Sequence, residues 1–514
     1  MNAFDVIVAG AGNAALAAAV AARQAGAGRV VVLEKATPEM RGGNTHWSGA
    51  LMRFAFSDGD ALKQIVPEAE AEFPNFFNDV PVYRPDDFLA DLVRSSDGLA
   101  DDDFARLLVS NSFETLRWMH QDCGIVFEPA AELVGVRTNE QVNWPKGAII
   151  RVRHEGPGLS GGWFDCAERH GVEIRYGAAL ADIAWEGGRV AGAVVRTGDG
   201  IETLHAPAVI LACGGFEANA QWRAQYLGGP WDQARVRGTP HNQGDGLRIA
   251  LAAGALPWGN WTGCHATPIS ADWGRFAPRQ MTDKSNRLSY TLGVMLNRHG
   301  HRFVDEGENF KFHTYAKFGR EILAQPGALA YQIFDQRAVP HLEGRYSTST
   351  PITGDTLEGL IAQLDIDDKP QALRTLEAYN AAAGDPSAFD PTRLDGLATQ
   401  GLPVDKSNWA FRLEQGPFLA YTATAGITFS FGGIKADDLG RVIGTDWRPM
   451  PGLYACGEMV GGLFHGNYVG GSGLTAGAML GRIAGSHAAG HPLAVTMETF
   501  GDVSAGGPAL QWVP

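Results

Sequence analysis

Little in this chain supports a second redox centre or a charged macromolecular partner. Its five cysteines, Cys123, Cys166, Cys213, Cys264 and Cys456, are isolated, odd in number and without Cys-x-x-Cys spacing. Neither a disulfide scaffold nor an iron–sulfur or zinc site is indicated, and no metal is expected. Runs of Lys and Arg are absent and the net charge is −15. Nucleic acid is therefore not an expected partner, because neutralising phosphates needs clustered cations. No long apolar run is unbroken either: the most apolar stretch, Val6 to Ala22, contains Gly10, Gly12 and Asn13. It reads as strand, turn and helix rather than a membrane span. A strand that begins almost at Met1 leaves no room for a signal peptide, so the cytoplasm is the expected compartment.

What is present is glycine, 66 residues in a chain of 514, gathered in clusters. Clustered glycine marks places where backbone turns tightly or approaches a ligand closely. A hydrophobic content of 45% with 19% charge describes a folded protein. The length calls for two domains, possible to interleave in sequence.

Residues 4–9 form a short apolar run suited to a buried parallel strand. Gly10-Ala11-Gly12-Asn13-Ala14-Ala15 follows, then an Ala-rich helix to about Gly26, then a second strand from Val30 that ends in Glu34 and Lys35. This is the G-x-G-x-x-A form of a dinucleotide-binding βαβ unit. Gly10 allows the turn, Gly12 lets a pyrophosphate reach the helix N-terminus, and Glu34 is placed to bind a ribose hydroxyl. The fingerprint alone does not separate NAD from FAD.

Later strings do. Arg41-Gly42-Gly43-Asn44-Thr45-His46-Trp47-Ser48-Gly49 resembles the Gly-Gly-Asn-Ser stretch that runs along FAD in the fumarate reductase and succinate dehydrogenase flavoprotein family. Ala212-Cys213-Gly214-Gly215, Gly244-Asp245-Gly246, Gly457-Glu458 and the closing Gly466 to Thr475 are similar to further FAD elements of that family. The resemblance implies FAD contacts at Gly42, Gly43, Asn44, Thr45, Ser48, Gly49, Ala179, Ala212, Gly214, Asp245, Gly457, Glu458, Ser472, Gly473 and Leu474. They add to Gly10, Gly12, Asn13, Ala14, Glu34 and Lys35. Glu458 would touch the ribityl chain. The helix opening near Ser472 would aim its dipole at the flavin. A flavin-linking histidine of the family falls near Asn44, with His46 two residues on, so non-covalent FAD is expected.

The expected fold is α/β, a Rossmann-like FAD-binding domain of the glutathione reductase kind with an inserted α+β capping domain. FAD segments at 1–260 and 426–514 would flank a cap at 261–425. Within the family the chain resembles most the tricarballylate dehydrogenase-like branch, through strings such as Val236-Arg237-Gly238-Thr239-Pro240 and Asn286-Arg287-Leu288-Ser289-Tyr290. Positions at which fumarate reductases carry two arginines and a histidine hold Phe310, Tyr468 and Phe429, and of the dicarboxylate set only His265 remains. A C4-dicarboxylate clamp uses bidentate arginine, so fumarate and succinate are not expected substrates.

The implied reaction makes or reduces a double bond α,β to a carboxylate or ketone, with hydride exchanged at flavin N5. It needs a base, a clamp on the substrate oxygen, and a stacked flavin. Candidate catalytic residues are Tyr468, Lys311, His313, Tyr315 and His265; candidate substrate contacts are Arg287, His465, Asn467 and Gly471. Tyr315 and His313 read equally well as packed residues of a cap helix, and Lys311 as a surface charge. Arg287 and Arg237 either bind carboxylates or brace the two domains. The charged segment Arg151 to Gly156 is a further candidate to reach the pyrophosphate or substrate. Tyr468 beside Gly470-Gly471 is similar to the ketone-binding tyrosine of 3-ketosteroid dehydrogenases. The expected partners are a small-molecule substrate and a separate electron acceptor or acceptor protein. A 3-ketosteroid or cyclic-ketone-type dehydrogenase, an enoate reductase, or an electron-relay subunit of a complex is the alternative.

Overall fold

A computed structural model describes residues 3–138 and 141–497; the end of the expected third segment, from residue 498, lies outside them. The fold is the expected α/β one. A six-stranded sheet runs in the order Arg441–Ile443, Pro449–Ala455, Ala208–Leu211, Val6–Ala9, Val30–Glu34 and Glu173–Tyr176. All its neighbours pair in parallel except the antiparallel edge pair Arg441–Ile443 and Pro449–Ala455. The central strands are buried along their whole length, which is why they read as uninterrupted apolar runs. The C-terminal third thus extends the sheet begun by the first residues.

The two ends of the chain also meet through helices. Helix Ser472–Ala488 packs on Asn13–Gln24, glycine against alanine. A Cβ at Gly481 would stand 2.4 Å from the Ala14 carbonyl oxygen, and one at Gly485 only 2.1 Å from that of Ala18. Small residues on both helices are therefore a packing requirement.

Between the second and third strands of the parallel sheet, helices Pro85–Ser95 and Asp102–Gln121 join helix Glu155–Arg169 in the core shared with the first helix. The charged segment at 151–156 belongs here and does not reach the cleft. Ile150–Val152 is a strand, and Arg151 is held by Glu128 at 2.8 Å and Glu155 at 3.2 Å. Helix Glu155–Arg169 leads into the edge strand Glu173–Tyr176. A three-stranded antiparallel sheet follows it, Ala179–Glu186, Arg189–Thr197 and Gly200–His205.

The second large sheet is mixed and centres on the long strand Phe418–Ser430. That strand pairs antiparallel with Cys264–Ser270, Leu329–Phe334 and Ile352–Gly354, and parallel with Arg235–Val236. The sheet therefore takes residues from before 261 and after 425. Helix Tyr315–Leu323 lies against Cys264–Ser270, where Gly319 lets the backbones touch: a Cβ there would sit 2.5 Å from Ala266. This arrangement carries Thr428, Phe429 and Ser430 to the face of the first sheet, at the carboxyl ends of its strands. Among the described residues, no helix is long and apolar enough to cross a membrane.

Candidate active site

One continuous cleft, about 2000 Å³ of empty space, runs from the carboxyl ends of the parallel strands to the mixed sheet. Its first half is a cofactor cradle. Gly10 has φ +105°, and a Cβ on it would stand 2.3 Å from the Ala212 carbonyl, so side-chain-free backbone is required there. Helices Asn13–Gln24 and Ser472–Ala488 both open onto the cleft without a side-chain cap or an acidic first turn. Their N-terminal dipoles suit an anion such as a pyrophosphate. Asn13 joins the two: its N–H donates to Thr45 Oγ1 and its amide to the Leu474 carbonyl, both at 2.8 Å. At the far end of the cradle Glu34 is buried on the wall. Its carboxylate accepts the Ala36 N–H at 2.8 Å, and burial pushes its pKa up.

The second half has an aromatic wall and a charged wall. The His265 ring stacks on Phe429 at 4.9 Å and meets Tyr315 and Tyr468 edge-on at 5.0 and 4.9 Å. His265 Nδ1 is buried without a partner, and burial, reinforced by the Arg237 charge, holds the imidazole well below its usual pKa. It is therefore neutral. The Tyr468 hydroxyl oxygen accepts the N–H groups of Gly471 and Gly473, each at 3.1 Å, at the start of the last helix. A hydroxyl that accepts in this way keeps its own proton as a donor. Burial raises the pKa of both Tyr468 and Tyr315, so each holds its proton at neutral pH.

Opposite lie Arg237, Asp283 and Arg345. Asp283 Oδ1 accepts from Arg237 at 3.0 Å and from the Asn286 amide at 2.5 Å, while Oδ2 binds Arg345. Behind them Glu343 joins Arg345 at 3.0 Å and pairs with Lys311. Two features aim Asp283 into the cleft. The preceding Thr282 is held at φ +48°, a strained setting for a β-branched residue, and a Cβ at Gly49 would come within 2.7 Å of Asp283 Oδ2.

Most residues singled out from the sequence line this cleft. Gly10, Gly12, Asn13, Ala14, Glu34, Lys35, Gly43, Asn44, Thr45, Ser48, Gly49, Ala212, Gly214, Asp245, Gly457, Glu458, Gly473 and Leu474 lie on the cofactor half, and His265, Tyr315, Tyr468 and Gly471 on the other. The remainder do not line it, for physical reasons. Gly42, φ +101°, seats its loop on helix Glu155–Arg169, where a Cβ would strike Ser160. Ala179 stands between the wall residues Ala178 and Leu180, and Ser472 turns its hydroxyl to the Val469 carbonyl at 2.5 Å. Lys311 is spent on Glu343. His313 lies off the wall, with its carbonyl taken by the Asn467 amide at 2.6 Å, so both residues pin the loop below Tyr468. His465 is likewise off the wall and offers its carbonyl to Asn260 at 3.3 Å. Arg287 is a brace: fully buried, it donates to the carbonyls of Asn286 at 2.8 Å and Arg345 at 3.1 Å. Phe310 packs on Trp409, so only two of the three aromatic replacements, Phe429 and Tyr468, face the cleft.

Asp283, Arg345, Asn286 and Phe312 were missed, since none sits in a glycine string and their convergence is purely tertiary. Arg53 was missed too. It is almost wholly buried, tied to Asp91 at 3.2 Å and Tyr83 at 2.9 Å, and it holds the Gly470 carbonyl at 2.8 Å beneath the Tyr468 loop.

With that geometry in view, the sequence as a whole is decisive: the FAD binding domain family matches residues 5–474. The chain belongs to that family. This flavoprotein is an FAD-dependent oxidoreductase. It is 27% identical over 493 residues to fumarate reductase (cytochrome) of Shewanella frigidimarina, covering 94% of this chain and 77% of the relative. It is 26% identical to 4-oxocyclohexanecarboxylate 2-dehydrogenase of Sinomonas cyclohexanicum, covering 95% and 94%. Among solved structures, 3-ketosteroid delta1-dehydrogenase from Sterolibacterium denitrificans superposes with a TM-score of 0.72 at 20% identity, covering 95% of this chain and 100% of that one.

Proposed function

We propose that this flavoprotein introduces or reduces a carbon–carbon double bond α,β to the carbonyl of a small cyclic ketone or carboxylate. The observation that carries this reading is the Tyr468 hydroxyl, held by two backbone N–H groups and facing Tyr315 and His265 across an aromatic wall. Residues up to 260 and from 426 onward form the FAD lobe and residues 261–425 act as the cap, whose central strand, Phe418–Ser430, runs across that boundary.

Tyr468 donates its proton to the substrate carbonyl, and the helix N-terminus behind it stabilises the negative charge that develops on that oxygen. Tyr315 exchanges a proton with the neighbouring carbon, and neutral His265 packs against both rings to fix them. The bound flavin supplies two-electron chemistry, taking or giving a hydride. Aromatic side chains keep water from the reacting carbons.

Charge on the opposite wall limits the substrate. Arg237, Arg345 and Lys311 are three cations and Asp283 and Glu343 two carboxylates among them, which leaves one net positive charge on this wall. That favours a ring with a single acidic or carbonyl group. Tricarballylate dehydrogenase-like specificity is the second reading, favoured by the presence of two arginines on the wall. FAD is held without a covalent bond, since Asn44 and Thr45 line the cleft and His46 does not. A separate acceptor takes the electrons, in keeping with five isolated cysteines.

Anaerobic bleaching of the flavin by a panel of cyclohexanone carboxylates, steroids, dicarboxylates and tricarboxylates tests this. Bleaching by cyclic ketones or their acids is the expected result. Bleaching by tricarboxylates alone would replace the first reading with the second, and reoxidation by enoates without any bleaching would assign the reductive direction.

A further inference from the structure

Glu217 follows Gly214-Gly215-Phe216 and is wholly buried. Its Oε1 accepts the side-chain amides of Asn44 at 2.6 Å and Asn242 at 2.5 Å, while its Oε2 is buried with no donor to bind. Glu458 reaches the same place from the C-terminal segment. Its Oε1 accepts the Ser430 N–H at 2.7 Å and hydroxyl at 3.1 Å. Gly215 makes room for it, since a Cβ there would stand 2.0 Å from Glu458 Oε1. Glu458 lines the cleft, and Asn44 ties the two sites together, donating to Glu217 Oε1 and to the Thr428 carbonyl, two residues before Ser430, at 2.6 Å each, so that the two carboxyls are neighbours and each acts on the other electrostatically.

The donors around this pair are neutral amides and a hydroxyl. The charged and titratable groups that face it are Arg223 and Cys264. The Arg223 guanidinium is buried and donates to main-chain carbonyls, among them Trp231 at 2.7 Å and Asp232 at 2.9 Å, and to no carboxylate. The Cys264 thiol is kept neutral by burial. Two neighbouring carboxyls thus share one cation at longer range. Neighbouring buried carboxyls do not both ionise. Burial pushes both pKa values up, and the charge of Glu217 pushes Glu458 further.

We propose that Glu217 is a positioning residue for the cofactor, sharing a single proton with Glu458 so that the pair meets bound FAD with one negative charge instead of two. FAD is itself anionic, and a doubly ionised pair would oppose the two helix N-termini that attract it. The shared proton also accounts for Glu217 Oε2, whose partner is the other carboxyl. The proposal rests on FAD occupying the cleft and not on the substrate. Because the folded pKa values are raised above 4.5, stability and FAD affinity are greatest while the proton is held and fall as pH rises through the raised values.

Glu217→Gln is the informative variant. Glutamine keeps an oxygen for Asn44 and Asn242 and offers Glu458 an N–H in place of the shared proton. Infrared spectra of the wild type at neutral pH should show a protonated-carboxyl C=O band that is lost in E217Q. The FAD dissociation constant of the wild type should rise ~10-fold per pH unit once the proton leaves, while that of E217Q stays within about twofold. Should E217Q fail to fold, Glu458→Gln must also lose the band. Absence of the band from the wild type, or a band and pH slope unchanged in either variant, would overturn the proposal.

Discussion

Replacing Tyr468 by Phe removes one oxygen and leaves the aromatic wall in place. The ring keeps its edge contacts with His265 at 4.9 Å and Phe464 at 4.9 Å, and its packing on Phe429 at 5.2 Å. What is lost is a donor to the substrate oxygen, together with the acceptor for the Gly471 and Gly473 N–H groups. A preorganised donor to a developing oxyanion is worth ~2.7–4 kcal/mol, which corresponds to ~10²–10³ in rate. The N–H groups border the cleft, where water can replace the lost acceptor, so the structural penalty is on the order of 1 kcal/mol. For a chain of this size that lowers the melting temperature by only ~1 °C. Stopped-flow reduction of the flavin by a competent substrate should therefore slow by ~10² or more, with FAD retention and melting temperature nearly unchanged. A rate within about threefold of wild type would remove the hydroxyl from the mechanism. Loss of FAD in parallel with rate would instead make Tyr468 a structural residue.

Other perturbations read different parts of the argument. Gly485→Val places a side chain 2.1 Å from the Ala18 carbonyl, and overpacking of ~1–3 kcal/mol or more should separate the two helices; thermal unfolding and flavin release would both report it. Tyr315 keeps its proton because burial raises its pKa, so reduction of an enoate should be favoured at lower pH and dehydrogenation should accelerate as pH rises; opposite pH profiles would refute its role. Asp283→Asn frees Arg237 and leaves Arg345 with Glu343 alone: stability should fall by ~3–5 kcal/mol from the uncompensated charge, while binding of small carboxylates, followed by flavin absorbance, should tighten at least ~10-fold. No change in carboxylate affinity would show that these arginines do not face the ligand. Denaturation in acid should release all the flavin into solution, and a yellow precipitate would show a covalent link.

The cofactor half was legible in the chain because backbone chemistry writes itself into local sequence. A turn that admits a pyrophosphate needs Gly10 where a Cβ would strike Ala212, and the crossing of the first and last helices needs Gly481 and Gly485 against Ala14 and Ala18. Such requirements leave glycine strings that can be read without coordinates, and the apolar runs between them announce strands buried on both faces. The substrate half leaves no such trace. In sequence Lys311 is a catalytic candidate and Arg287 a substrate-binding one, yet the fold spends one on Glu343 and the other on main-chain carbonyls. Asp283 and Arg345 stand 62 positions apart in unremarkable 3₁₀ turns and become partners only when those turns meet. Glu217 and Glu458 come from the two separate sequence segments of the FAD lobe, and their shared site exists only once Gly215 and Ser430 are adjacent. Local sequence determines what the backbone can approach. Which charges are neutralised, which protons are held and which walls face each other depend on long-range packing, and only the tertiary structure decided them.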